Sequence, residues 1–381
     1  MFTFPLSPAL ATHDALRSEV RSFLHAAAAA GHFAPVCSGW VVADRRFSLL
    51  CGERGYIGMT WPKQYGGGAR SNLERYIVAE EMLAAGAPVG AHWIADRQSG
   101  PQILRHGSEE LRRRVLSRIA RGEICFAIGM SEPGAGSDLA AIRSRAVRVA
   151  GGWRVHGRKM WTTHAHVADY MIGLFRTGTA TPEDRHSGMT QLAIDLKSAG
   201  VSVHPVESSA GRHELNEVVF EDVFVPDSHV IGAPGEGWRL VTAELQFERS
   251  GPERFLSVFP LLVAAVRHAS GTEVRSSGAA QLGRLVAHIA ALREMSMSVA
   301  ARLDSSADVA TEAALIKDLG NALEQETPDV LRRAFDTKPL RDGDDYPAML
   351  ADAQLSAPSF TLRGGTPQIL RGILARALGM R

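Results

Sequence analysis

The segment FAIGMSEPGAGSD, residues 126–138, changes character half-way along its length. Its first part continues ICFAIGM, residues 124–130, a short β-branched and aromatic run of the kind that forms strands. Its second part, Ser131-Glu132-Pro133-Gly134-Ala135-Gly136-Ser137-Asp138, holds two glycines, an alanine and four side chains with a hydroxyl or carboxylate. Small residues let backbone N–H groups come close to a ligand, and a run of such groups stabilises an anion or an electron-rich ring. Taken alone, the stretch also reads as a Gly-rich turn that closes a strand.

Upstream, residues 1–120 read as a helical domain, with Ala- and Leu-rich segments such as NLERYIVAEEMLAA interrupted by the loop TWPKQYGGGARS. Downstream, residues 121–232 are a β-domain of short strands: AVRVAGGWRV, YMIGLF, QLAIDL, VSVHPV and EVVFEDVFVP. Gly151 and Gly152 form a hairpin turn in which both positions can take positive φ. After Pro226 the strand signals stop, and residues 233–381 return to helical patterning. In the last helix Leu370, Ile373, Leu374, Ala377 and Leu378 form one apolar stripe; Thr366 is its N-cap, Pro367 its first residue and Gly379 its stop. The expected fold is a multidomain α+β chain: an N-terminal all-α domain, a middle antiparallel β-barrel or sandwich, and a C-terminal four-helix bundle.

Composition narrows the function. Forty-two basic against 41 acidic residues leave a net charge of +1, so no basic field for nucleic acid is expected. The apolar runs fall far short of the roughly 20 residues that span a bilayer. The N-terminus carries Asp14 and Glu19 and lacks a basic region ahead of an apolar run, which argues against a signal peptide. Cys37, Cys51 and Cys125 form no C-x-x-C pair, as expected in a reducing compartment, and the cytoplasm is the expected location. No metal site is expected.

SEPGAGSD resembles the (T/S)EPxAGSD signature of the acyl-CoA dehydrogenase family, and other segments agree in order. GYIGMTWPKQYGGG (55–68) resembles the family's N-terminal loop, GWRVHGRKMWTTHAHVADYMI (152–172) its flavin-contacting strands, and RGGTPQILRGILAR (363–376) its closing helix. The resemblance implies FAD as cofactor, an acyl-CoA as substrate and an electron-transferring flavoprotein as acceptor. It places Ile128, Met130, Ser131 and Gly136 along one side of the flavin ring and Trp161 and Thr163 along the other, with Thr163 toward N5. Ser137 is expected near the CoA pantetheine or pyrophosphate, and Gly365, Thr366 and Gln368 face the FAD diphosphate, where a helix N-terminus suits an anion. Asp138 is expected to brace the loop. Among the histidines, His92 reads as packing, and His164, directly after the flavin strand, is the one singled out for the site.

The reaction implied is removal of an α proton by a carboxylate while the flavin accepts the β hydride. Many relatives place that carboxylate in Tyr-Glu-Gly-Thr, but here Arg363-Gly364-Gly365-Thr366 has glycine in its place. A second group, similar to isovaleryl-CoA dehydrogenase, uses a Glu in L-x-x-E-R at the start of the first helix of the bundle. Leu245-Gln246-Phe247-Glu248-Arg249 fits that pattern and makes Glu248 the expected base, with Glu253 of SGPERF as its competitor and Arg249 bracing the substrate site. A purely solvated pairing of both acids with Arg249 and Arg254 is the plain alternative.

Two family patterns are missing. R-x-x-F-G is replaced by VRHASGTEVRSSGAAQ, and Q-x-x-G-G-x-G by AMLADAQLSAPSFTL. Four readings follow: a dehydrogenase subunit completed by a second acyl-CoA dehydrogenase-like chain, a homo-oligomer that binds FAD through other residues, a catalytically silent subunit, and an acyl-CoA or nitroalkane-type flavin oxidase.

Overall fold

A computed structural model describes residues 2–5, 13–180, 184–269, 276–305, 307–335 and 343–380, without the side chains of 245–248 and 276–277. Among the described residues the α-helices are α1 (Asp14–Ala29), α2 (Arg45–Glu53), α3 (Asn72–Ala84), α4 (Gly90–Ile94), α5 (Gly100–His106), α6 (Glu109–Ala120), α7 (Gly237–Arg249), α8 (Phe259–Ala269), α9 (Ser276–Leu303), α10 (Ala310–Ala334), α11 (Tyr346–Phe360) and α12 (Pro367–Ala377). The strands are β1 (Phe126–Gly129), β2 (Arg145–Val149), β3 (Gly152–Thr163), β4 (Tyr170–Arg176), β5 (Met189–Asp195), β6 (Val201–Val206), β7 (Leu215–Pro226) and β8 (Val230–Ile231). Helices, then a sheet, then helices follow one another along the chain, the order read from the sequence. Among the described residues no helix is long and apolar enough to cross a membrane.

The chain divides into two compact units, one of residues 1–40, 71–88 and 246–381, the other of residues 41–70 and 89–245. In the second unit the strands form one sheet in the order β6-β7-β3-β2-β4-β5-β8, with β1 also on β4. Most pairings are antiparallel, but β1 runs parallel to β4, with Phe126 opposite Tyr170 and Gly129 opposite Gly173. Period-2 alternation buries Trp153, Val155, Val218, Phe220, Val223 and Val225 in one core with Met171, Phe175, Leu192 and Ile194. Alternation slips by one in β7 where Asp222, at φ 54°, adds a residue opposite the register shift between Val155 and Gly157. At the β2–β3 hairpin only Gly151 takes positive φ. Gly152 is instead demanded by closeness, since a Cβ there would lie 2.3 Å from the Val225 carbonyl oxygen.

In the first unit, Ser71 and Glu74 form a reciprocal capping box at the start of α3. Leu73, Tyr76 and Ile77 on α3 pack against Met297 and Ala300 of α9 and Leu16 of α1. The same three helices are tied by charge. Glu80 accepts from Arg17 at 2.8 Å and Arg293 at 2.6 Å, and Glu81 accepts from Arg21 at 2.7 Å and from Arg17. Two departures from the sequence reading concern the helices around the site. The LQFER segment closes α7 rather than opening a helix, because Ser250, Gly251 and Pro252 follow it and Pro252 begins a separate 3₁₀ turn. On α12 the apolar stripe is only partly covered, with Leu370 fully buried and Leu378 55% exposed.

His92, in the second unit, is enclosed, and its Nδ1 lies 2.8 Å from Ser48 Oγ. Burial pushes its pKa down to about 3. Below pH 6.5 the unfolded chain therefore takes up a proton that the folded chain refuses, and stability is lost as pH falls from there toward 3. Urea unfolding midpoints should drop between pH 7 and 4 by an amount equivalent to about 1 kcal/mol per pH unit from this group. A His92→Gln variant is expected to show a visibly flatter profile over the same window.

Candidate functional site

In the second unit the loop after β1 lies against β3. Met160 N donates to the Ser131 carbonyl at 2.8 Å, so the backbone of Met130 and Ser131 runs beside Met160 and Trp161. A second register shift in β3, between Lys159 and Thr162, coincides with Trp161 at φ 60°, a conformation a bulky residue adopts only under constraint. The constraint is visible on both sides. Asn216 Nδ2 holds the Thr162 carbonyl at 3.0 Å, and His164, also left-handed at φ 57°, donates its N–H to the Glu214 carbonyl at 2.8 Å. The result is an indole 55% exposed near the end of β3, with Thr163 half-buried two positions on. Ile128 and Met130, on one face of the neighbouring segment, are likewise half-buried.

Glu132 is the anchor of the 131–138 loop. Its carboxylate accepts from Arg143 N at 2.6 Å, Ser144 N at 3.0 Å and Lys159 Nζ at 2.8 Å. Burial pushes the Glu132 carboxyl up, but the Lys159 charge and these hydrogen bonds outweigh it and hold the group below its ordinary value. Burial brings Lys159 down to about 8. Beyond Glu132 the loop opens to solvent, and a Cβ at Gly134 or Gly136 would meet nothing within 4 Å. Ser137 is exposed there, and Asp138 braces the loop's end through both oxygens on Arg185 Nη2, at 2.6 and 2.8 Å. His164 is turned away from this face. Its ring is buried with Nε2 on the Val41 carbonyl at 2.8 Å, and burial keeps it neutral.

The first unit carries the other predicted residues. Gly364 and Gly365 both adopt positive φ, 64° and 107°, ahead of α12. Their carbonyls are turned onto cations: Arg249 Nε donates to Gly364 at 3.1 Å and Lys317 Nζ to Gly365 at 3.2 Å. Thr366 is the N-cap residue by conformation, but its side chain makes no cap hydrogen bond, and Gln368 lies exposed in the first turn. Glu248 stands in the last turn of α7, and its side chain lies outside the described residues. Glu253 is not solvated. It is 1% exposed, beside Arg254 Nε at 3.6 Å, and its carbonyl accepts from Ser257 Oγ at 3.1 Å. Glu324, held by Ser257 N at 2.8 Å, is pushed up by burial.

Each unit, taken by itself, offers surroundings that suit part of a flavin dinucleotide. Trp161 with Ile128 and Met130 offers an apolar platform beside backbone edges, the surroundings a flat heteroaromatic ring takes. The eleven-residue helix α12 offers amides and a positive dipole end to a diphosphate. Sequence reasoning missed Lys159, Lys317, Arg185 and Glu324. Lys159 had a signal, since it shares the inward parity of Trp153 and Val155, and an inward lysine demands a carboxylate. An alanine at position 365 would have to adopt φ near 107°, with its Cβ 3.3 Å from Arg249 Nη2. Gly365→Ala should therefore lower unfolding stability by about 1–3 kcal/mol, read by urea denaturation.

Comparison with known proteins places this geometry. The description "Acyl-CoA dehydrogenase, N-terminal domain" matches residues 11–123, and "Acyl-CoA dehydrogenase, middle domain" matches residues 127–223. The chain is 31% identical over 342 residues to acyl-CoA dehydrogenase FadE34 of Mycobacterium tuberculosis, covering 88% of this chain and 46% of that protein. It spans about half the length of the curated relatives it matches. Among solved structures it is similar to the Tcur3481-Tcur3483 steroid ACAD, with a TM-score of 0.87, 27% identity and 100% of both chains covered. It is also similar to the ChsE4-ChsE5 complex from Mycobacterium tuberculosis, with a TM-score of 0.80, 27% identity and 100% of both chains covered.

Proposed function

Because the chain belongs to the acyl-CoA dehydrogenase family, we propose that it takes part in FAD-dependent α,β-dehydrogenation of an acyl-CoA to the trans-2-enoyl-CoA. The observation that carries this reading is the Trp161 indole, held exposed by a strained bulge beside the Met130 and Ser131 backbone. FAD, when bound, supplies the acceptor for the hydride that leaves the β carbon. The chain's residues divide the remaining tasks. Ile128, Met130, Ser131, Gly136, Trp161 and Thr163 hold the ring; Gly365, Thr366 and Gln368 receive the diphosphate; Ser137 meets the CoA arm. Residues 1–120, 121–232 and 233–381 are the proposed domains.

For the base we propose Glu248 over Glu253. A base must reach a substrate carbon, and Glu253, at 1% exposure beside the buried Arg254, has no such access. Arg249 shapes the neighbourhood by holding the Gly364 carbonyl, at the position where many relatives carry their carboxylate. A thioester α proton is weakly acidic, so the site must exclude water and stabilise the developing enolate.

A partner subunit is part of the proposal. Two structures similar to this chain are named as two-protein assemblies, one of them a steroid enzyme, and a bulky cyclic acyl chain is the corresponding substrate class. Within the first unit, Leu319, Leu355, Leu362, Ile369, Leu378 and Met380 on and around α10, α11 and α12 are large, apolar and exposed, as on a surface that another chain covers. Electron-transferring flavoprotein is the proposed acceptor. The three cysteines are buried and none is disulfide-bonded, in keeping with a cytoplasmic setting. The silent-subunit reading rests on the same exposed surface together with glycine at 364.

Glu248→Gln should lower turnover on a responsive acyl-CoA by about a thousandfold while the flavin absorbance is kept, and Glu253→Gln should leave the rate within tenfold; the reverse pattern would move the base to Glu253. Bound FAD per subunit should be measured for the chain alone and with an acyl-CoA dehydrogenase-like partner. Flavin that appears only with the partner is expected for the heteromer, and full occupancy in the lone chain would remove that requirement. Rapid hydrogen peroxide release without an acceptor protein would identify an oxidase instead.

A further inference from the structure

The pair of Lys159 and Glu132 is more deeply enclosed than a surface loop needs. Lys159 has no exposed surface and Glu132 is 7% exposed. Two charges in such surroundings lose their hydration, and replacing a buried ion pair by apolar groups is often neutral or stabilising. What an apolar pair could not supply here is the geometry. Lys159 Nζ donates to the Met130 carbonyl at 3.2 Å as well as to Glu132 Oε1 at 2.8 Å, and lies 5.0 Å from the Phe175 ring centroid. Glu132 in turn collects the amides of Arg143 and Ser144, eleven and twelve positions later.

The carboxylate therefore ties together both ends of the loop and the strand beneath it. Ser144 Oγ extends the tie, donating to the Arg158 carbonyl at 3.0 Å and accepting from Arg158 N at 3.0 Å. Within the loop, Glu132 and Ala135 exchange backbone bonds of 2.9 and 3.0 Å. Gly129 leaves room for the lysine stem, since a Cβ there would lie 3.2 Å from Lys159 Cγ and 2.5 Å from Met171 Sδ. Together the contacts fix backbone, that of Met130 and the first turn of SEPGAGSD on one side and of Arg143, Ser144 and Arg158 on the other.

We propose that Lys159 and Glu132 are positioning residues that lock the Met130 and Ser131 backbone in its ligand-facing conformation before the cofactor arrives. This inference rests on the flavin reading above for the identity of the ligand, but the lock itself belongs to the protein. Holding the loop in advance removes the ordering cost from the binding step, so loss of the lock appears as weaker cofactor binding rather than as unfolding.

The test uses the full chain and a Lys159→Met/Glu132→Gln double variant, which removes both charges at similar volume. Expected in the variant are an unfolding temperature close to wild type, an FAD dissociation constant raised at least tenfold in flavin fluorescence titration, and amide hydrogen exchange at Arg143, Ser144 and Met160 accelerated at least tenfold. An FAD affinity and exchange rates both within twofold of wild type would overturn the proposal. Should the variant fail to fold, the wild-type chain decides: amides of Arg143 and Ser144 must exchange as slowly as the core of the sheet, and exchange at open-loop rates would sink the lock. A wild-type chain that takes up no FAD either alone or with an acyl-CoA dehydrogenase-like partner would overturn the flavin reading, and the exchange measurement would still decide the lock.

Discussion

An ammonium group without exposed surface has to replace its water with protein groups, and in the second unit that requirement falls on Lys159. Its replacements are one carboxylate, one carbonyl and one aromatic ring. Once these are in place, the path of the chain from Gly129 to Ser144 has little freedom left. The carboxylate brings two amides of the returning chain to itself, and the carbonyl belongs to the residue that faces the ligand. A Gly-rich loop, which would otherwise be soft, becomes a fixed edge of the sheet.

The bulge at Trp161 depends on the same frame. A strand one residue out of register exposes an indole that would otherwise enter the core, and the left-handed conformations at Trp161 and His164 bracket the two threonines between them. Strain of this kind persists only where the surroundings impose it. Asn216, fully buried, and the Glu214 carbonyl supply that imposition from β7 and the residue before it. In the first unit the corresponding device is cationic. Arg249 and Lys317 draw the carbonyls of Gly364 and Gly365 to one side, so the turn that leads into α12 is held by charge where its N-cap side chain makes no bond.

Much of this was legible in the residues. The SEPGAGSD loop, the strand runs around it, and the start of α12 at Thr366 and Pro367 all follow from composition and turn chemistry. The expected role of Asp138 as a brace is met by Arg185, which the sequence did not point to. LQFER is expected at a helix start because the enzymes it resembles carry L-x-x-E-R there, and the break at Gly251 and Pro252 assigns it to a helix end. The parallel pairing of β1 with β4 was also hidden, since strand direction is set by where the chain returns and not by which residues compose the strand.

By itself the sequence determined the succession of helices, sheet and helices, a Gly-rich loop that follows a strand, and the absence of a carboxylate at position 364. These depend on neighbours a few residues apart: apolar period, glycine and proline placement, helix caps. Only the tertiary structure decided that Lys159 is the partner of Glu132, that Trp161 faces out, and that Glu253 is buried beside Arg254. The reason is physical. Whether a charge is hydrated or paired, and which face of a strained strand is open, are properties of contacts through space, and Lys159 meets its carboxylate across 27 positions of chain.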